Sequence, residues 1–319
     1  TGLRMGIAQV AQHLNPQGIN RVVLLGDGVP NDPQGIEGMA TSAGQSGIAI
    51  TSLGLGLEYN ETLMGVIAQR SGGHFHYIED SSAVANVFRD EVLRLERMIA
   101  RNAALTLTPG PDVQIEAVLG QEATRSGTVV TVPIGDIPEG GSRDLIVRMS
   151  VPSHRAGSSV ELIDARLGWN DAVNTYEHHE ANVFLGARAT SDANEIAGGR
   201  NAEVERVAAQ VSLAVGTVAV IREAREGNVA QAQAELDTLL TNAREQAEYR
   251  NHAGYAQQVA QASSLRGALP SLAPRTSATS APAATTPAPA PAQPASMQFS
   301  DEQIVRQNHA GAMSVIQGD

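Results

Sequence analysis

Three groups of side chains in this 319-residue sequence have the types and spacing to do chemistry. The run Arg21-Val-Val-Leu-Leu-Gly-Asp27 ends on a carboxylate, and hydroxyl, carboxylate and water oxygens are the ligands that a hard cation takes. His74 and His76 lie two apart and are followed by Glu79 and Asp80, so a metal or acid/base pair is conceivable there. The plainer alternative is a strand with one polar face. Glu177-His-His-Glu180 similarly places His178 and Glu180 on one strand face, which an exposed edge strand explains equally well. Other chemistries lack their residues. Cysteine is absent, which removes thiolate nucleophiles, disulfides and zinc-thiolate sites. Lysine is absent too, so neither a Walker A lysine nor a lysine Schiff base is available. Gly54-Leu-Gly56 has no third glycine at the dinucleotide spacing, and no Gly-x-Ser-x-Gly elbow occurs.

These groups need elements to hold them. Leu3, Ile7, Val10 and Leu14 recur at helical spacing, so residues 3–14 form an amphipathic helix. Arg21–Asp27 and Ile48–Leu55 are short continuous apolar runs, the pattern of strands buried on both faces of a parallel sheet. A weakly helical stretch at 35–46 lies between them. A helix begins at the N-cap Asn60 and stops at Gly72-Gly73, a third strand covers His74–Glu79, and a long helix runs from 82 to 101. Strands alternating with helices imply right-handed crossovers and an α/β, doubly wound, mainly parallel sheet over residues 1–101. Ligands of such sheets bind beyond the carboxyl ends of the strands, where Asp27 sits.

After Arg101 the period becomes two: Val113, Ile115, Ala117 and Leu119, then Val130, Val132 and Ile134, then Leu145, Val147, Met149 and Val151. With two more strands near 159–169 and 173–186, residues 102–190 form an antiparallel sheet or sandwich with Trp169 as a core anchor. Helical spacing returns over 194–267, with Val204, Val207, Val211, Val215 and Val218 on one face and Leu236, Leu239, Leu240 and Ala243 on another. The break at Glu226-Gly-Asn228 makes this a helical hairpin. Residues 268–297, nearly all Ala, Pro, Ser and Thr, are expected to be a disordered linker, and 298–319 a short amphipathic tail.

A net charge of -12 argues against nucleic-acid or anionic-membrane partners, and no run of about 18 apolar residues encodes a membrane span. The sequence starts on Thr1, with no signal-like segment, and reads as a piece of a longer precursor.

Thr1-Gly-Leu3, Leu25-Gly-Asp27-Gly28, Ser52-Leu-Gly-Leu-Gly56, Glu58-Tyr-Asn-Glu61-Thr-Leu-Met64 and Ala68-Gln-Arg-Ser-Gly-Gly73 together resemble the second half of a von Willebrand factor type A domain. The resemblance covers residues 1–101. It implies a metal-ion-dependent adhesion site in which Thr1 and Asp27 match the family threonine and aspartate, and an acidic group from a protein partner completes the coordination of Mg²⁺, Ca²⁺ or Mn²⁺. The family's Asp-x-Ser-x-Ser loop would lie before residue 1, which leaves the site incomplete here and Arg21–Asp27 as an edge strand in place of a central one. Gly26 stands where a Thr often precedes the aspartate. A plainer reading makes Asp27 a turn cap and Thr1 a helix N-cap. The later segments are similar to bacterial secreted, periplasmic or cell-envelope proteins that carry such a domain. The expected function is therefore a metal-dependent protein-binding module and not an enzyme. The alternatives are a metal-assisted hydrolase using His74, His76 and Asp80, and an interaction scaffold whose metal site is vestigial.

Overall fold

The computed structural model describes residues 2–15, 17–28, 35–57, 59–95, 97–173, 176–272 and 295–318. Two compact units divide the chain: residues 1–212 with 313–319, and residues 213–312.

In the first unit α1 (Gly2–Gln12), β1 (Asn20–Gly26), α2 (Ile36–Gln45), β2 (Ile48–Leu55), α3 (Glu61–Ser71), β3 (Phe75–Ile78) and α4 (Ser81–Leu95) alternate as the sequence implies. The three strands pair in parallel in the order β1-β2-β3. Seven of the eight β2 residues are buried, because helices cover both faces and strands flank both edges. β1 is an edge of this sheet, with Val22 buried and Leu25 49% exposed. α3 forms where its punctuation says it should. The Asn60 side chain accepts the Leu63 N–H at 2.9 Å, and Gly72 closes the helix at φ 71°.

The expected helix to residue 101 ends at Leu95, and Met98–Pro109 is β4. Met98 and Ala100 are buried while Ile99 is 43% exposed, a two-residue alternation that strand pairing rewards and a helix would not. β5 (Gln114–Val118), β6 (Thr124–Ser126), β7 (Val129–Pro138), β8 (Val147–Ser150), β9 (Ser159–Asp171) and β10 (His178–Arg188) complete an antiparallel sandwich. One sheet has the order β10-β9-β4-β7-β6, and the other is the pair β5-β8. Ala103, Leu107, Ile115, Val118, Val130, Val132, Ile134 and Ile163 form its core. An irregularity between Ile115 and Ala117 turns Val118 inward where period two pointed to Leu119, and Val151 lies outside β8, 42% exposed. Trp169 packs against the core only in part and stacks on His179 at 5.7 Å.

Two glycines set the distance between the α/β layer and the sandwich. Gly135 in β7 has φ 84°, and a Cβ built there would lie 1.9 Å from the Gly72 carbonyl oxygen at the end of α3. No side chain fits, and the backbone of both loops would have to move.

α5 (Ala193–Gly198) and α6 (Ala202–Arg225) follow, and α6 runs into the second unit. That unit continues with α7 (Val229–Glu245), α8 (Ala247–Asn251), α9 (Ala253–Ser263), α10 (Leu265–Ala268), a 3-10 turn over Leu269–Leu272 and α11 (Ala295–Gln317). It is thus more than a hairpin. Leu269 and Leu272 are buried where a linker was expected, and the rest of that expectation, residues 273–294, lies outside the described residues. The tail expected over 298–319 is the greater part of a 23-residue helix. The valine stripe of α6 is fully buried only at Val211: Val204 is 54% exposed, and the buried face is made mainly by Leu213, Ala214, Thr217, Val220, Ile221 and Ala224. A helix apolar on most sides does not reveal its packed face by periodicity alone. By length and composition α6 meets the requirement for a membrane span, with mean hydropathy 1.5, where no span was expected; a packed core helix passes the same test. Its Gly216 leaves room for Leu239 of α7, and Arg225 grips Glu302 of α11 through two hydrogen bonds of 2.8 and 2.6 Å.

Gly135→Ala is expected to lower stability by about 2–4 kcal/mol, because it combines positive-φ strain with a backbone clash. Thermal denaturation measures it, and a change below about 0.5 kcal/mol, the usual range for a neutral surface substitution, would mean the approach to Gly72 is not tight.

Candidate functional site

Asp27 follows the last residue of β1, whose Gly26 pairs with Gly54 of β2. It is exposed at the carboxyl edge of the parallel sheet. The same edge carries Gly56, at φ 71°, after β2. The neighbouring polar groups are already committed: Asn60 caps α3, and Ser52 donates to the Met64 carbonyl at 2.7 Å. Thr1, the second residue implied for a cation, lies outside the described residues. Among the described residues no group of three or more His, Asp or Glu side chains converges on a point. The donor chemistry at this edge therefore suits a hard cation in kind, with Asp27 after β1 and Glu79 and Asp80 after β3, but not in arrangement, since no three such groups converge among the described residues.

The residues of the hydrolase alternative do not assemble. The rings of His74 and His76 do lie on one side of the sheet, stacked at 6.4 Å. Asp80 does not join them. It stands just before α4, where hydrogen bonds from the Ser82 hydroxyl and from the Ser82 N–H, the latter at 2.7 Å, hold its pKa below the usual value. His76 instead meets Glu91 of α4 at 2.9 Å, a partner that sequence spacing did not suggest. On β10, His178 and Glu180 stand 3.6 Å apart, both more than 45% exposed, as an edge strand presents them.

Glu91 belongs to a buried ionic chain. Its carboxylate accepts from Thr51 of β2 at 3.1 Å and lies 3.5 Å from Arg21 of β1, which bonds Asp136 of β7 at 3.0 Å. The side chains of Arg21, Glu91 and Asp136 are 4–5% exposed. Asp136 also accepts the Asn102 N–H at 3.1 Å, and β4 presents that N–H by an irregularity in which Asn102 takes φ 51°. Burial pushes the Glu91 carboxyl up, but the His76 hydrogen bond and the charges of His76, His74 and Arg21 outweigh it and draw the pKa down to about 2. The one sequence signal for this chain was an arginine heading an apolar strand.

A cavity of about 900 Å³ opens beside the chain and is walled by Leu93, Leu105, Leu145, Leu167, Arg143 and Asp136 among others. Asp27 is not among its lining residues.

Residues 1–90 match the family profile described as von Willebrand factor type A domain. They belong to a von Willebrand factor type A domain. The family is one of protein-interaction modules that often carry a cation site. The chain is 30% identical over 115 residues to the uncharacterized protein YfbK of Escherichia coli, a stretch covering 34% of this chain and 20% of YfbK. It thus spans about a fifth of that relative's length. A von Willebrand factor type A structure from Catenulispora acidiphila superposes with a TM-score of 0.64 at 18% identity, over 81% of this chain and 62% of that one. The human COPII-coat protein Sec24c gives 0.52 at 9% identity, over 97% of this chain and 42% of its own. At such identities these likenesses are of fold. They extend beyond the A domain, so the sandwich that follows it here is part of the shared architecture.

The Glu91 carboxyl lies lower in the folded protein than its ordinary value of 4.5, so its contribution to stability is full above about pH 5 and is lost as pH falls toward 2. Glu91→Gln is expected to flatten the stability profile across that window, measured by urea denaturation at stepped pH, and an unchanged slope would remove Glu91 as its source.

Proposed function

We propose that this chain is a binding module that holds a protein partner through a divalent cation, Mg²⁺, Mn²⁺ or Ca²⁺, with the Asp27 carboxylate as one ligand. The position of Asp27 supports this most: an exposed carboxylate one residue beyond a strand of a parallel sheet, at the edge where such sheets receive ligands. By the pattern of the A-domain family, the Thr1 hydroxyl is a second ligand and an Asp-x-Ser-x-Ser segment N-terminal to Thr1 supplies others. An acidic side chain of the partner fills the remaining position. The sandwich and the helical unit act as the scaffold that presents this edge. A net charge of -12 fits a cation-bridged contact, since the ion offsets repulsion between an acidic module and an acidic ligand. Secreted, periplasmic or envelope placement goes with an adhesion role of this kind.

Calorimetric titration of Mg²⁺ and Mn²⁺ into the full-length gene product, wild type against Asp27→Ala, tests the reading. The variant is expected to bind at least about tenfold more weakly, a loss of roughly 1.4 kcal/mol or more. Its metal-free melting temperature should match the wild type, because Asp27 is exposed. Equal affinities would take Asp27 out of the site.

A further inference from the structure

The two edges of the five-stranded sheet are finished differently. β6 is three residues long, a short edge of the kind that discourages further pairing. β10 is eleven residues long, contains neither proline nor lysine, and is exposed at every position. At its centre Val183, Phe184 and Leu185 are 65, 61 and 50% exposed. A long edge strand with an exposed apolar centre presents a row of open backbone groups and can recruit another strand.

The ladder shows which groups are open. At one end the Asp171 N–H bonds the Glu177 carbonyl, and at the other the Ala189 N–H bonds the Ser158 carbonyl while Gly157 donates to Ala189. Odd-numbered residues thus turn their backbone groups toward β9, and the even-numbered residues 178 to 188 turn theirs outward. The irregularity at Leu185/Gly186 leaves this alternation intact, since the residue skipped between Ile163 and Glu161 is on β9.

We infer that β10 is a self-recognition edge: two copies of this chain pair their β10 strands antiparallel about a two-fold axis through Phe184, joining two five-stranded sheets into one. In that register the outward-facing residues meet as hydrogen-bonded pairs, with Phe184 opposite Phe184 of the partner subunit and Asn182 opposite Gly186 of the partner subunit. Glu180 falls opposite Arg188 of the partner subunit, and symmetry repeats the pair, giving two cross-strand ion pairs and an aromatic pair on the axis. Moving the axis to Val183 puts His178 opposite Arg188 and loses both ion pairs. The present partners do not prevent the exchange. Arg188 bonds Glu195 with both side chains about half exposed or more, and Glu180 meets Arg166 only at 4.0 Å, so neither contact is costly to replace.

Sedimentation velocity on the 319-residue chain is expected to show a reversible monomer–dimer equilibrium. Arg188→Glu and Glu180→Arg should each weaken dimerisation by about tenfold or more, because each sets like charges opposite one another twice. The double variant Glu180→Arg/Arg188→Glu should restore it. Both side chains are about half exposed or more, and melting temperatures check that folding is unchanged. A monomeric wild type would overturn the inference. So would single variants that dimerise like the wild type, as association through the open edge of β1 would give, and so would a double variant that stays monomeric.

Discussion

A guanidinium held at 4% exposure needs carboxylates against it to offset the loss of its hydration, and Arg21 has two, Glu91 from α4 and Asp136 from β7. A buried ion pair is a poor source of net stability but a strong source of specificity by penalty, since removing either partner strands a charge in the interior. The first unit depends on this condition. β1 carries the arginine, β2 and β3 add Thr51 and His76, and β4 bends at Asn102 to give its N–H to Asp136. A sandwich docked in any other register would leave Arg21 without Asp136. The glycine contact between α3 and β7 fixes the same docking by shape, so charge and sterics select one arrangement.

The sequence carried most of the α/β half in readable form because its signals are local. A strand ending in Gly-Asp-Gly, a helix bounded by Asn60 and Gly72, and apolar runs of strand length each depend on neighbours a few residues away. So does the placement of Asp27 at the sheet's carboxyl edge. What escaped is what local signals cannot hold. Arg21 and Asp136 are 115 residues apart, and nothing in either neighbourhood names the other. The passage from α4 to β4 was misplaced because Met98-Ile-Ala-Arg101 continues an apolar helix pattern as readily as it begins a strand. His74, His76 and Asp80 looked like a catalytic set for a similar reason: sequence proximity gathered three polar residues that the chain then sends to a sheet face and a helix start.

A division of labour results. The buried polar groups hold layers together, and Asp27, the carboxylate proposed as a cation ligand, stands exposed at a strand end. Loops at the carboxyl edge of a parallel sheet can vary without disturbing the core, so a ligand site placed there and the stability of the fold would rest on different residues.

Only two positions separate the end of α4 from the start of β4, and β4 is hydrogen-bonded on both sides, to β7 and to β9. No slack lies between the A domain and the sandwich. Under tension a linker of many residues would extend first and spare the folded parts, whereas here a pull on the sheet's carboxyl edge passes at once into a strand of the sandwich that is paired on both sides. The layers then share a load as one mechanical body, and rupture requires shearing two ladders together rather than turning a hinge.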